Sequence, residues 1–151
     1  MSWSATLSEL GIELPPVVAP LAAYVPAVQT GNLVYTSGQL PITDGQLLSS
    51  GKVGADVTAE DAKQLARVCA LNALAAVHAL VGIDAVVKVV KVVGFVASAP
   101  GFDGQPGVIN GASELFGEVF GDAGAHARSA VGVAELPRNA PVEVEIVVEI
   151  A

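Results

Sequence analysis

An arginine and a glutamate near the end of the chain are the residues whose types and spacing could do chemistry. Arg128 stands at the start of a strand-like run over residues 129–134, and Glu143 opens a second run over residues 142–150. A planar, always-charged guanidinium suits a bidentate grip on a carboxylate. If the two runs pair as antiparallel neighbours, both side chains reach the same end of a sheet. That end could hold a small anion beside a proton-transfer group.

Both residues also have a plainer interpretation. Arg128 could be a surface arginine in a salt bridge, although its small and apolar neighbours favour a strand edge beside a buried region. Alternation along residues 142–150 places the glutamates on the face opposite the apolar set, where Glu145 and Glu149 would be solvated. If Glu143 is poorly solvated, its pKa should rise toward neutrality.

Four further residues are candidates for ligand binding. Ser37 and Gly38 end a predicted strand, where a glycine either allows close backbone approach and N–H donation or marks a simple bulge. Tyr24 could close a pocket with its ring and hydroxyl, or pack in the core. Asn110 has the position of a helix N-cap.

The sequence gives little support for a metal site, a serine-hydrolase site or a nucleotide-binding site. His78 and Cys69 lie nine residues apart on different faces of one predicted helix, and His126 stands alone, so we predict no metal site and no cofactor. Ser37 with a distant histidine lacks the Gly-x-Ser-x-Gly elbow of a hydrolase. Walker and dinucleotide-binding glycine patterns are also missing from the sequence.

Composition narrows the partners and the location. The formal net charge is −8 with seven scattered basic residues, so we predict no nucleic-acid partner. Hydrophobic residues make up 52% of the chain, and this surplus of apolar side chains favours a subunit interface. The single cysteine and the absence of a signal-like start or an 18-residue apolar run predict a cytoplasmic protein with no membrane partner.

The elements that would position these residues form one domain over residues 1–151. We expect an extended lead-in over 1–20 with a short helix at 6–10, a hairpin of 24–29 with 33–39, a loop over 41–57 with a brief strand near Val53, a helix over 59–81, a valine-rich strand over 84–96 and a helix over 108–121. Thr58 has the spacing of a capping box before the long helix. The order of elements predicts an α+β fold with two helices on one face of a mixed sheet.

Three blocks of this sequence closely resemble the RidA/YjgF family of reactive-intermediate (enamine/imine) deaminases. The last block contains Ala-Arg-Ser at 127–129, Leu-Pro at 136–137 and Val-Glu-Val-Glu at 142–145. The first block is Tyr24 followed by Gly-Asn-Leu-Val-Tyr-Thr-Ser-Gly-Gln-Leu-Pro at 31–41, and the middle block is Asn110 before an aromatic-containing helix. Together they cover most of residues 24–151.

The resemblance implies a homotrimer with active sites in clefts between subunits. It implies hydrolysis of small 2-imino or enamine acids to 2-keto acids and ammonia, with Arg128 holding the substrate carboxylate and Glu143 positioning or activating water. Ser37 and the Gly38 N–H would help to bind the carboxylate. Tyr24 and Asn110 would shape the cleft.

One departure from the family pattern leaves a second function open. Ala130 stands two residues after Arg128, where many family deaminases have a cysteine. The missing thiol removes any nucleophilic or redox role there and leaves imine hydrolysis feasible. The chain is also longer than compact members at the N-terminus and near residues 41–57 and 97–107. The alternative is a non-catalytic protein that binds or senses a keto acid; a ribonuclease, the third interpretation, disagrees with the acidic charge.

Overall fold

The computed structural model describes residues 2–20 and 22–151, and within them the chain forms three α-helices and seven strands. The elements are α1 (Trp3–Glu9), β1 (Ala27–Thr30), β2 (Leu33–Thr36), β3 (Ile42–Thr43), β4 (Gln46–Leu47), α2 (Ala59–Val81), β5 (Val86–Ala97), α3 (Gln105–Phe120), β6 (Ala127–Val133) and β7 (Val142–Ile150). Short 3₁₀ turns precede β5, follow α3 and link β6 to β7. Met1, the first residue of the predicted lead-in, lies outside the described residues.

The long helix α2 has the ends that its sequence predicts. The Thr58 hydroxyl accepts a hydrogen bond from the Asp61 N–H at 3.1 Å, and the helix ends where Gly82 adopts a φ of +82°. By length and composition alone α2 could cross a bilayer, but half of that apolar window is buried within the fold. Its small residues pack against the sheet and α3, which is the behaviour of a core helix.

The five main strands are ordered β1-β2-β7-β5-β6. All neighbours are antiparallel except β5 and β6, which are parallel because α3 connects them as a crossover. Both long helices pack on one face: α2 contacts β7, and α3 contacts β5, where an added Cβ at Gly94 would meet Ile109 of α3. The predicted α+β fold with two helices on one face of a mixed sheet is therefore confirmed.

The idea that β6 and β7 are antiparallel neighbours is wrong. The twelve-residue strand β5 lies between them and pairs with both. A long, nearly continuous valine strand takes an interior position in the sheet, where both of its backbone edges are satisfied. The chain between β6 and β7 therefore crosses from one side of β5 to the other instead of making a tight hairpin.

The face of the sheet away from the helices remains open in a single chain. Burial alternates strictly along β7, with Val144 and Ile146 buried beneath the helices and Glu143 and Glu145 half-buried on the other face, as the alternation predicts. Three large apolar side chains on that open face are 43–53% exposed, namely Val28, Tyr35 and Val131.

Near the N-terminus the structure is more regular than predicted. Helix α1 begins at Trp3, earlier than the expected start at residue 6. The Trp3 indole donates to the Val86 carbonyl at 2.7 Å and packs edge-on against Phe120 at 5.1 Å, so the lead-in is fastened to β5 and α3. The predicted hairpin is present as β1 and β2. The expected loop over 41–57 contains the small hairpin β3–β4 and bridges at Val53.

Helix α3 starts three residues earlier than the sequence predicts, at Gln105 instead of residue 108. Its N-cap is Gly104, with no side-chain capping bond, and Pro106 lies in the first turn. Asn110 is therefore not an N-cap, and that interpretation is wrong. It lies within the second turn, where its side chain is available for tertiary contacts.

Two glycines of α3 give a matched test of helix packing. Gly111→Ala should lower the free energy of unfolding by about 3 kcal/mol because the new Cβ meets the Lys63 carbonyl of α2. Gly117→Ala should raise it by about 0.5–1 kcal/mol, since nothing lies within 4 Å of that position and alanine favours the helix. Urea unfolding of the two variants measures both effects, and changes of the same sign would contradict this packing.

Candidate functional site

Arg128 lies on the edge strand β6 with its side chain directed toward α3. It pairs in register with the fully buried Val92, so it shares the helix-covered face. The guanidinium is half-buried, and its Nη1 donates to Asn110 Oδ1 at 2.7 Å and to Ser113 Oγ at 3.2 Å. Within residues 2–20 and 22–151, no carboxylate comes within salt-bridge distance of Arg128. The plain interpretation as an arginine in a surface salt bridge is therefore wrong.

A partly buried cation held only by neutral oxygens is unusual. Burying a charge without an opposite charge is costly, and neutral hydrogen bonds offset only part of that cost. Four other basic residues do have acidic partners: Lys52, Lys63, Arg67 and Lys88. Arg128 is thus suited to receive a small anion.

The residues that hold Arg128 come from one face of α3. Asn110 and Ser113 are three residues apart and so lie one above the other on the helix. The predicted cleft residue Asn110 is therefore brought to Arg128, although by a route different from helix capping. Ser113 was not a candidate from sequence; its spacing from Asn110 was the available signal.

His126 is a second residue that sequence reasoning missed. It does not stand alone: its Nε2 lies 2.8 Å from Ser113 Oγ, and its Nδ1 lies 2.6 Å from the Gly124 carbonyl oxygen. Its ring also packs edge-on against Phe116, with ring centroids 5.9 Å apart. His126 is only two residues before Arg128, which was the signal in the sequence. It belongs to the same hydrogen-bonded cluster.

Glu143 occupies the opposite, open face of the sheet. It pairs in register with Phe95 of β5, and its carboxylate accepts no hydrogen bond from the residues that the structure describes. Burial raises the pKa of Glu143 above its ordinary value of 4.5, and the charge of Glu145 raises it further. The rise that the sequence led us to expect is confirmed in direction.

The backbone of Gly38 lies directly against the Glu143 carboxylate, with no side chain between them. A Cβ at position 38 would lie 2.6 Å from Glu143 Oε2, so any larger residue would displace the carboxylate. The Gly38 N–H has no acceptor among the residues described here, while the next residue, Gln39, exchanges two backbone hydrogen bonds with Val144 at 2.8 and 3.0 Å. An unpaired donor therefore lies beside a poorly solvated carboxylate.

Ser37 and Tyr24 lie next to this position. The Ser37 hydroxyl donates to the Val25 carbonyl at 2.6 Å, and its N–H donates to the Pro26 carbonyl at 2.8 Å. Ser37 can therefore accept a hydrogen bond from a ligand, but both of its hydrogens hold the segment before β1. Tyr24 is 45% exposed and lines a small cleft with Gly38, Pro26 and Leu40.

The predicted site residues form two groups that do not meet within one chain. Arg128 and Asn110 lie at the β6 edge on the helix side, whereas Glu143, Gly38 and Tyr24 lie toward the β1–β2 edge. Given the pairing of Val92 with both Arg128 and Ile146, two strand spacings and three residues separate Arg128 from Glu143, roughly 14 Å between α-carbons. The two side chains also point to opposite faces.

Neither Ala130, which stands where many family members have a cysteine, nor Cys69 supplies a reactive group to the site. Ala130 pairs with Gly94 on the helix-covered face of β6 and packs against the core. Cys69 is buried in α2, where burial first and the charge of Glu143 second raise the pKa of its thiol. In the described part of the chain, no three His, Cys, Asp or Glu side chains come together as a metal site would need.

The chain is similar to known proteins over nearly its whole length. A family model described as Endoribonuclease L-PSP matches residues 16–150. The protein TCP17 of Trypanosoma cruzi is 45% identical over 149 residues, which cover 97% of this chain and 93% of that protein. A 2-iminobutanoate/2-iminopropanoate deaminase of Dermatophagoides farinae is 34% identical over 139 residues, covering 92% and 94%. The crystal structure of a protein of unknown function from Agrobacterium tumefaciens has a TM-score of 0.90 and 46% identity, covering 99% of this chain and 92% of that one.

Proposed function

The chain belongs to the RidA/YjgF family, whose model is described as Endoribonuclease L-PSP, and on that premise we propose that it hydrolyses small 2-imino and enamine acids to 2-keto acids and ammonia. A relative named as an imine deaminase supports this reaction. The observation that carries the proposal is Arg128, a half-buried cation without an acidic partner in the described residues. Its natural counter-ion is the carboxylate of an organic acid.

The substrate carboxylate would bind to the Nε–Nη2 edge of the Arg128 guanidinium, the side-on arrangement. Because Nη1 is engaged by Asn110 and Ser113, the donors left for a carboxylate are Nη2 and Nε, which form a parallel pair. Asn110 then acts mainly by orienting the guanidinium. The free N–H of Gly38 would add a donor from the other group of residues, with Ser37 and Tyr24 bordering the cleft.

Glu143 would position the attacking water. Water adds to the carbon of the C=N bond while the carboxylate takes one proton, and that proton is returned to the nitrogen. The carboxylate then takes the hydroxyl proton of the resulting carbinolamine and passes it to the nitrogen, so that the C–N bond breaks as the C=O bond forms, releasing ammonia and the 2-keto acid. A raised pKa suits this exchange because a base and acid work best with a pKa near the working pH. An imine is already electrophilic, so placement of water and substrate supplies much of the acceleration and no cofactor is required.

The separation of the two groups favours an active site built by two subunits. Arg128 lies at one edge of the sheet and Gly38 near the other, so the β6 edge of one copy must meet the β1–β2 edge of the next. A head-to-tail contact of this kind forms a ring when its rotation closes, and we propose that it closes as a homotrimer. The exposed Val28, Tyr35 and Val131 on the open face supply apolar area for that packing.

The direct test is a coupled assay with 2-iminopropanoate generated in solution by an amino-acid oxidase. We expect this protein to accelerate formation of the keto acid above the uncatalysed rate, and light scattering to give three times the 15.2 kDa chain mass. Ala130 in place of the family cysteine favours one alternative, a keto-acid-binding protein without turnover. Binding of 2-ketobutyrate by calorimetry, with imine hydrolysis at the background rate, would reject the deaminase and support that alternative.

A further inference from the structure

Arg128 is the first donor in a series of hydrogen bonds that runs through Ser113 and His126 to the Gly124 carbonyl. A carbonyl oxygen only accepts, so His126 Nδ1, at 2.6 Å from the Gly124 oxygen, must carry a hydrogen. In the neutral ring Nε2 is then an acceptor, and the Ser113 hydroxyl donates to it across 2.8 Å. The Ser113 oxygen is left with lone pairs, and Arg128 Nη1 donates to it at 3.2 Å. Every donor in the series therefore points the same way, from Arg128 to Ser113, His126 and Gly124.

This series of hydrogen bonds fixes the rotation of the Arg128 guanidinium about its side-chain bonds. Asn110 Oδ1 at 2.7 Å and Ser113 Oγ at 3.2 Å receive the hydrogens of Nη1. Nη2 and Nε make no hydrogen bond to any residue of the described chain, so the side-on pair of donors stays open. If Ser113 were lost, Nη1 would regain a free hydrogen and the end-on pair, Nη1 with Nη2, would compete for the ligand.

The ring of His126 is itself held firmly. Phe116 packs edge-on against it at 5.9 Å, and the Gly124 carbonyl fixes its other nitrogen. Gly124 lies against the Phe116 carbonyl so closely that a Cβ there would clash, which anchors the turn that supplies this carbonyl. The support is therefore part of the packed end of α3.

Ser113 and His126 have the atom types of a nucleophile and its base, but their surroundings favour a different role. The Ser113 oxygen accepts from a guanidinium, and a cation that binds its lone pairs reduces their ability to attack carbon. We propose that Ser113 and His126 are positioning residues that select the side-on edge of Arg128 for the substrate carboxylate. This inference rests on the proposed carboxylate-binding role of Arg128 and adds two residues to it.

The test compares carboxylate binding and turnover in matched variants. Ser113→Ala should weaken 2-ketobutyrate binding, measured by calorimetry, by about tenfold, the scale of one lost hydrogen bond to a charged group. The KM for 2-iminopropanoate should rise by a similar factor while kcat stays within about twofold. Ser113→Thr keeps the hydroxyl and should restore both values.

Two substitutions of His126 test the same positioning role independently of Ser113. His126→Phe keeps a ring against Phe116 but removes both hydrogen bonds, and it should weaken binding as Ser113→Ala does. His126→Gln can accept from Ser113 through its amide oxygen and should retain most of the affinity. Glu114→Ala is the control on the same helix, because Glu114 pairs with Lys63 of α2 at 3.0 Å and makes no hydrogen bond to Arg128, Ser113 or His126 in the described structure.

The outcomes separate this inference from the proposed function. Wild-type affinity in Ser113→Ala and His126→Phe, together with loss of binding in Arg128→Ala, would overturn the positioning role and leave the deaminase proposal standing. Unchanged binding in Arg128→Ala would remove the carboxylate site and both ideas with it. Loss of kcat without a change in KM or in keto-acid affinity would also reject positioning and indicate that Ser113 takes part in the chemistry.

Discussion

Replacing Arg128 by alanine is expected to reduce kcat/KM for 2-iminopropanoate by about a thousandfold. Removing one partner from a desolvated charge pair costs about 2–5 kcal/mol, and 1.4 kcal/mol corresponds to a factor of ten. The change also removes the donor to Asn110 Oδ1, so positioning and attraction are lost together. Steady-state kinetics measure the effect, and light scattering checks that the assembly is unchanged.

Two variants make this result specific. Arg128→Lys keeps the positive charge but loses the fork, and it should recover only a small part of the activity because an ammonium binds a carboxylate as a point charge. Arg138→Asn removes the same charge from an exposed turn, where φ is +59° and asparagine is tolerated, and should behave as wild type. Turnover in Arg128→Ala equal to that in Arg138→Asn would reject the assignment of Arg128 as the carboxylate anchor.

Replacing Glu143 by glutamine is expected to lower kcat by about 10²–10³-fold, within the range of about 10²–10⁴-fold that a positioned general base contributes. Glutamine has nearly the same shape, so it fits beneath Gly38 without the clash that a larger residue at position 38 would cause. The amide cannot take a proton from water. The KM should change little, because in the proposed mechanism the substrate carboxylate is bound by Arg128 and not by Glu143.

The pKa of Glu143 gives this prediction a pH signature. Only the ionised carboxylate is a base, so kcat/KM should rise with pH along a limb that lies above the ordinary value of 4.5. Glu145→Gln removes the second cause of the raised pKa and should move that limb to lower pH while the rate at neutral pH is kept. A limb at or below pH 4.5 in the wild type, or full activity of Glu143→Gln, would contradict the role of Glu143 as a base.

Glu143 should make the folded state less stable as the pH rises, whereas an ion-paired carboxylate makes it more stable. A raised pKa means that the folded state favours the protonated carboxyl relative to the unfolded chain. Its contribution to the free energy of unfolding is fully present below pH 4.5 and is lost as the pH rises through the pKa of the folded state. Urea unfolding at several pH values should therefore show Glu143→Gln gaining stability relative to wild type as the pH rises through that window.

The sequence by itself determined the features that depend on local interactions. Helix α2 runs from Ala59 to Val81 because Thr58 caps one end and Gly82 stops the other, and both signals lie within a few residues. The β1–β2 hairpin follows from its short turn, and the faces of β7 follow from its alternation. The alternation indicated only which face Glu143 takes; its pKa was expected to rise only if the carboxylate were poorly solvated, and the structure supplies that burial. Motifs around Arg128 and Glu143 also identified the family.

Tertiary structure alone decided which of these residues meet. Strand order depends on long-range pairing, and the position of β5 between β6 and β7 separates Arg128 from Glu143, which lie only 15 positions apart in the sequence. Helix α3 is long enough to begin at Gln105, so Asn110 contacts Arg128 instead of capping the helix. Ser113 and His126 were missed because a serine and a histidine thirteen residues apart form a pair only when a helix packs back onto its following strand. Periodicity reports which face a residue takes, but not which residue of another element lies opposite it.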